Sequence, residues 1–163
     1  MNNNQYAKTG RFMFIVAWLI FFGLLFWFFH YYTSAEEGTY EVNHGTVTIT
    51  PDGRGHYYID GTINNYPVKF MLDTGATLVA VPQGVAEKMR LRGRYSVTME
   101  TASGKVTGSL ARAEELSFAG FTLRNVKVVI VPGADERLIL LGMNVLSQFE
   151  LSQKDKRLIL RKE

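Results

Sequence analysis

The sequence predicts a small, mainly β domain with one or two short helices, preceded by one transmembrane helix. Three observations carry this prediction. The chain has an unbroken apolar run from Phe12 to Phe29. Period-two alternation of apolar and polar residues fills most of the chain after His44, and Gly, Asn, Asp and Pro punctuate the alternating runs.

The apolar run, FMFIVAWLIFFGLLFWFF, has no charged side chain and approaches the roughly 20 residues that cross a hydrocarbon core as a helix. A cleaved signal peptide is the competing reading, with Lys8 and Arg11 in front and Thr33, Ser34 and Ala35 as a loose cleavage site. A signal core holds only about 7–15 apolar residues, so a retained anchor over 12–32 is the better account. The basic residues Lys8 and Arg11 precede the run and Glu36 and Glu37 follow it. The N-terminus, 1–11, is therefore expected in the cytoplasm, with everything beyond the span on the other side. Residues 33–43 read as a short linker and 44–163 as the folded domain.

Hydrophobic residues make up 47% of the chain and charged residues 20%. The formal charge is +3, from 18 Lys+Arg against 15 Asp+Glu; setting aside Lys8 and Arg11 leaves +1 for the remainder. A near-neutral domain without a block of arginines has no electrostatic footprint for nucleic acid. The local run RLRGR, Arg90 to Arg94, reads as a solvated turn after a short helix. With no cysteine the domain has neither disulfides nor thiol chemistry, and it must rest on its apolar core.

Taken in order, TVTIT (46–50), HYYIDGTI (56–63) and VKFML (68–72) are expected strands. Asp52-Gly53 and Asn64-Asn65 supply the residues that tolerate left-handed backbone angles, which predicts two hairpins. PQGVAEKMR, Pro82 to Arg90, is the first expected helix, with Pro at its start and basic residues in its last turn. YSVTMETA and KVTGSLARAEELSF then form strands joined at Ser103-Gly104, and FTLRNVKVVIV follows a turn at Ala119-Gly120. A buried apolar run at LILL leads into a helical stretch from Met143 to Phe149, QKDKR is a solvated hairpin turn, and RLILR is the closing strand. The whole reads as mainly antiparallel.

Elimination narrows the chemistry. His30, His44 and His56 have no metal-ligand spacing, so no metal is expected. No glycine-rich run opens a long helix to cradle phosphate, and no nucleophile elbow is present. Among the carboxylates Asp73 stands apart, because it lies between the apolar runs FML and TLVAVP, where a buried unpaired charge would be costly. The Thr74 hydroxyl and the backbone amides around Gly75 are the nearest donors to satisfy it. Asp-Thr-Gly alone is weak evidence, but its apolar β setting and a second pattern, Leu140-Leu141-Gly142 leading into MNVL, strengthen it.

With FMLDTGAT and LILLGMNVL together, the chain resembles the retropepsin-like aspartic proteases, and specifically their membrane-anchored bacterial branch. The resemblance spans about Gly55 to Phe149. It implies a closed, flap-covered β-fold in which each chain supplies one aspartate, Asp73, and a homodimer makes the site. The sequence requires the same, since Asp-Thr-Gly occurs once and a pair of such aspartates needs two chains. By the same resemblance Thr74 ties the two active-site loops together, Gly75 lets backbone amides reach the carboxylates, and Ala76 fills a small-residue position. Leu140, Leu141 and Gly142 support the loop.

The hairpin METASGKVTG, Met99 to Gly108, takes the place of the flap, with Thr101, Ala102, Ser103, Gly104 and Lys105 at its tip as substrate-contacting residues. The implied partners are a second copy of the chain, an extended peptide or protein substrate and the membrane. The implied location is the bacterial inner membrane with the catalytic domain periplasmic. No cofactor is implied. The alternative is a non-catalytic module that keeps this fold for peptide capture or assembly, with Asp73 a turn acid.

Overall fold

In the computed structural model the described residues are 3–33, 38–43, 45–101, 104–133 and 138–162, and side chains of the first helix are described over 13–29. The chain divides into two compact units, Met1–Glu36 and Glu37–Glu163.

The first unit is one helix, α1 (Asn3–Thr33). It begins earlier than the expected 12–32 span. From Met13 to Phe29 its side chains are exposed all round, and Trp18 stacks on Phe22 and meets Phe14 and Phe21 edge-on. Among the described residues no helix is long and apolar enough to cross a membrane. The described side chains cover less than the full apolar run.

The second unit carries the strands β1 (Tyr40–Asn43), β2 (Thr46–Ile49), β3 (Tyr58–Ile63), β4 (Tyr66–Leu72) and β5 (Val79–Pro82), followed by the helix α2 (Gln83–Lys88). Then come β6 (Tyr95–Thr101), β7 (Gly104–Phe118), β8 (Phe121–Val131), β9 (Ile139–Leu141), the short helix α3 (Met143–Leu146), β10 (Glu150–Lys154) and β11 (Arg157–Arg161). Residues 40–43, read from sequence as linker, form β1 and pair with β2.

Among the described residues three hairpins turn on paired residues with positive φ. Asn64 and Asn65 (49° and 63°) join β3 to β4, Ala119 and Gly120 (47° and 82°) join β7 to β8, and Asp155 and Lys156 (50° and 62°) join β10 to β11. Such turns carry the right-handed twist that flanking strands need. The segment at Asp52-Gly53 is not a hairpin, because β2 pairs with β1 and β11 while β3 pairs with β4 and β7. Asp52 instead organises a local turn, its Oδ1 accepting the amides of Arg54 (2.9 Å) and His56 (2.8 Å). A polar turn signal marks a reversal without saying which strands meet.

One sheet runs β3-β4-β9-β5-β8-β7-β6, and β3 also pairs with β7 through Gly61↔Phe118 and Ile63↔Leu116. The six strands from β3 to β7 therefore close into a barrel, as expected. Gly61 sits at the seam, where a Cβ would run into the Ser117 carbonyl and the Phe70 ring. The expected antiparallel character is broken at two places: β4 pairs parallel with β9, and β5 parallel with β8. Those pairings join segments far apart in sequence, which alternation cannot report.

The second sheet runs β1-β2-β11-β10. Its inner face brings Val47, Ile49 and Leu160, all fully buried, onto the core that also holds Phe70, Val79, Val81, Val128, Leu141 and Leu146. Each such side chain contributes about 1.5–3 kcal/mol of burial. Pro82 precedes α2 as its N-cap, and both helices are shorter than the sequence suggested.

Candidate active site

Asp73 follows directly on β4, whose last residue, Leu72, faces Leu141 of β9 in parallel register. The pairing extends one step further, with the Asp73 amide donating to the Leu141 carbonyl at 3.1 Å. The apolar run before Asp73 thus does two things: it buries Phe70 and Leu72 in the barrel, and it delivers the aspartate to the rim at the end of the β4–β9 ladder.

The chain then turns tightly. The Gly75 amide donates to Asp73 Oδ1 at 2.8 Å and the Ala76 amide to the Asp73 carbonyl at 3.2 Å. Asp73 is half-buried and Thr74 and Gly75 are exposed, so the carboxylate sits at a surface rather than deep among the strands. The donor expected from the Thr74 hydroxyl is not used: among the described residues the Gly75 amide supplies the carboxylate's hydrogen bond. A solvent-facing threonine has water to bond, and the glycine amide is the one pointed at the acid.

Beyond the turn, residues 76–78 lie across the start of α3. Met143 donates to the Ala76 carbonyl at 2.7 Å and Asn144 to the Thr77 carbonyl at 3.1 Å. Those two amides open a helix and would otherwise lack partners, so the loop and the helix satisfy each other. Gly142 makes the approach possible. A Cβ there would collide with the Leu78 carbonyl and lie 2.8 Å from the Ala76 oxygen. Of the residues predicted for the site, the structure brings together Asp73, Thr74, Gly75 and Ala76 with Leu140, Leu141 and Gly142.

Asn144 was not singled out by sequence reasoning, and it ties the site to the barrel. Its Oδ1 accepts the Val79 amide at 3.0 Å and its Nδ2 donates to the Lys127 carbonyl at 2.9 Å. One side chain thereby links α3, β5 and β8. The available signal was an amide inside the apolar run GMNVL, where a polar group needs partners.

The hairpin expected to serve as the flap is formed by β6 and the first part of β7, in register from Tyr95↔Leu110 to Thr101↔Gly104. It projects from the barrel, since β7 passes to β8 only from Ser109 onward. Thr101 Oγ1 donates to the Gly104 carbonyl at 2.8 Å, Gly104 has φ 111°, and Lys105 Nζ lies 3.9 Å from Glu100. Ala102 and Ser103 lie outside the described residues.

A rim aspartate held by its own turn and backed by a glycine-seated helix, on a closed β-barrel carrying a projecting hairpin, is the architecture of the retropepsin-like aspartic protease class. Residues 59–148, more than half of the chain, match the family described as "gag-polyprotein putative aspartyl protease", and the chain belongs to that family. Its fold is that of a retropepsin-like aspartic protease: the crystal structure of one from Rickettsia conorii superposes with a TM-score of 0.64 at 27% identity, covering 76% of this chain and 96% of that one. An uncharacterized protein of Rickettsia prowazekii is 31% identical over 119 residues, 71% of this chain and 51% of its own length. An uncharacterized protein from the cobV 5′ region of a Sinorhizobium species is 29% identical over 102 residues, 61% of this chain and 44% of its own. The chain spans about half the length of these two relatives.

Proposed function

We propose that the chain is an aspartic endopeptidase whose active site forms when two copies bring their Asp73 residues together. The observation that carries this reading is the placement of Asp73 at the end of the β4–β9 ladder, held by the Gly75 amide and half-exposed, in a sequence that has this motif once. A lone half-exposed carboxylate is a poor catalyst. Two of them across a two-fold axis cannot both ionise at about 3 Å, so they share a proton, as aspartic protease dyads do.

In that pair the ionised Asp73 takes a proton from a water molecule while the protonated Asp73 of the second copy hydrogen-bonds the scissile carbonyl. Water adds to the carbonyl carbon, giving a tetrahedral diol. Collapse of the diol breaks the C–N bond as a proton passes to the amine. Thr74, exposed in the single chain, is free to bond the opposing loop. Gly75 fixes the carboxylate, and Ala76, Leu140, Leu141 and Gly142 hold the loop in place. The β6–β7 hairpin, with Thr101, Ala102, Ser103, Gly104 and Lys105 at its tip, closes over an extended peptide and excludes water.

The apolar run 12–29, with Lys8 and Arg11 before it and Glu36 and Glu37 after it, supports a single-pass anchor in the bacterial inner membrane with the protease domain periplasmic. Tethering both copies to one surface raises their effective concentration and favours pairing.

The test is hydrolysis of a peptide library by the purified full chain across a range of pH, with and without a pepsin-type inhibitor. Cleavage that is blocked by the inhibitor and abolished in Asp73→Asn, with circular dichroism unchanged, is the expected result. Undiminished cleavage by Asp73→Asn would reject the assignment.

A further inference from the structure

The outer side of the β7–β8 ladder carries a groove of about 450 Å³ whose charged lining is entirely cationic: Arg112, Arg124, Lys127 and Lys162. The amides of Asn125, Asn144 and Gln148 complete its polar wall, and among the described residues no carboxylate lines it. Arg124 meets an acid from beyond the groove, with Glu115 3.8 Å from its Nε, while Arg112, Lys127 and Lys162 have no ion-pair partner among the described residues. Without Lys8 and Arg11 the chain has 16 Lys+Arg against 15 Asp+Glu, or +1. Four cations in one groove are therefore a local concentration of charge and not a share of a basic surface.

The fold gathers these cations against their repulsion. Arg112 stands directly opposite Lys127, both exposed, and like charges facing each other across a sheet are destabilising. The ladder is also broken beside them. It passes from Ala113↔Val126 to Glu115↔Arg124, and Asn125 between them has φ 57°, a left-handed backbone in the middle of a strand. Such irregularities re-aim side chains and recur next to functional sites. Here Arg112 clasps the irregular residue, its Nη1 donating to the Asn125 carbonyl at 3.2 Å and to Asn125 Oδ1 at 3.1 Å. The opposite wall is tied down as well: Gln148 Nε2 donates to the Asn144 carbonyl at 3.1 Å and Asn144 Nδ2 to the Lys127 carbonyl at 2.9 Å.

We propose that this groove binds a phosphate-bearing ligand. A phosphate presents several acceptor oxygens to the guanidinium fork of an arginine and to the point charge of a lysine. Seated between Arg112 and Lys127, it turns their mutual repulsion into attraction to a shared anion. A single carboxylate brings one charge to a groove with three cations unpaired, whereas a multiply charged phosphate meets more of them. A lipid headgroup and a soluble polyphosphate share this chemistry. The inference goes beyond the protease reading and does not depend on it. One residue connects the two regions: Asn144, in the groove wall, donates its backbone amide to the Thr77 carbonyl of the loop that follows Asp73.

The test titrates the full chain in neutral-detergent micelles, by calorimetry, with pyrophosphate and with dihexanoyl-phosphatidylglycerol, a short lipid with a phosphodiester headgroup. Ionic strength is held fixed so that general screening is constant. Saturable binding is expected, weakened about tenfold or more in the double variant Lys127→Gln/Lys162→Gln. It should be unchanged in Lys69→Gln, which removes an exposed cation of β4 outside the groove. Tighter binding of the short lipid assigns the groove to a headgroup, and tighter binding of pyrophosphate assigns it to a soluble phosphate. Thermal melts of the variants check that the fold is intact. No saturable binding of either probe, equal binding by the double variant, or a tetra-aspartate peptide bound as tightly as the phosphates would each overturn the proposal. Since no readout here is peptide hydrolysis, such a failure leaves the protease reading standing.

Discussion

The side-chain amide of Asn144 accepts the backbone N–H of Val79 at 3.0 Å, and this bond fastens the helix behind the Asp73 loop to a barrel strand. Val79 is fully buried, so its amide has no water to turn to. The other end of the same amide donates to the Lys127 carbonyl. Asn144→Ala is expected to destabilise the domain by about 1–3 kcal/mol, the cost of leaving a buried donor unmet. Urea unfolding measures the loss, and peptide hydrolysis by the same variant should fall because the loop seat loosens.

Gly142 is the second support. Adding one methyl at this position drives it into the Leu78 carbonyl and toward the Ala76 oxygen, both backbone atoms of the loop that follows Asp73. Gly142→Ala should cost about 1–3 kcal/mol by overpacking. Because the loop must move to admit the methyl, hydrolysis should drop more than the stability loss alone explains. Activity assayed well below the melting temperature separates the two.

Asp52 gives the domain a pH-dependent element away from the Asp73 loop. The His56 backbone N–H bonded to its carboxylate, with help from the Arg54 amide and guanidinium and the nearby His56 ring, holds its pKa below the ordinary 3.8 against the opposing effect of burial. A carboxylate with a depressed folded pKa stabilises the fold above its unfolded value, and that stability is lost as pH falls through the folded value. Asp52→Ala should therefore melt lower than the parent chain near neutrality, with the gap narrowing as pH falls below 3.8. The turn presents Tyr57, whose carbonyl accepts the Leu72 amide at 2.9 Å and whose hydroxyl donates to Lys156, so the effect reaches β4 next to Asp73. Thermal melts of both proteins from pH 7 to pH 2 test the sign.

Much of this architecture is legible in the sequence because alternation and turn chemistry are local. Asn64-Asn65, Ala119-Gly120 and Asp155-Lys156 mark real hairpins, since residues that accept positive φ are required there. The pairing of β4 with β9 and β5 with β8 was hidden, because parallel contacts join distant segments and leave no periodicity of their own. β10 escaped notice for a different reason: one face is polar and exposed, and the other offers only Leu151 to the core, too little to register as alternation. At the site, Asp73 and Gly142 stood out as a recognisable pair. The apolar flanks of Asp73 suggest a deeper position than the half-buried one it has, because the strand that buries those flanks ends at the barrel rim. Asn144 carries no comparable signal, because its two backbone partners come from strands far away in the chain.

If the active site is shared as proposed, peptide hydrolysis needs one Asp73 from each of two chains, and mixing parent and variant chains distinguishes this from a one-chain site. Full chain and Asp73→Asn are co-refolded at fixed total concentration in varied proportion, and peptide hydrolysis is followed. If both aspartates are required, activity follows the square of the unmodified fraction, falling to roughly a quarter in an equal mixture. Activity that falls only in proportion, to about half in an equal mixture, would show that a single chain carries the whole site and would rule out a shared one.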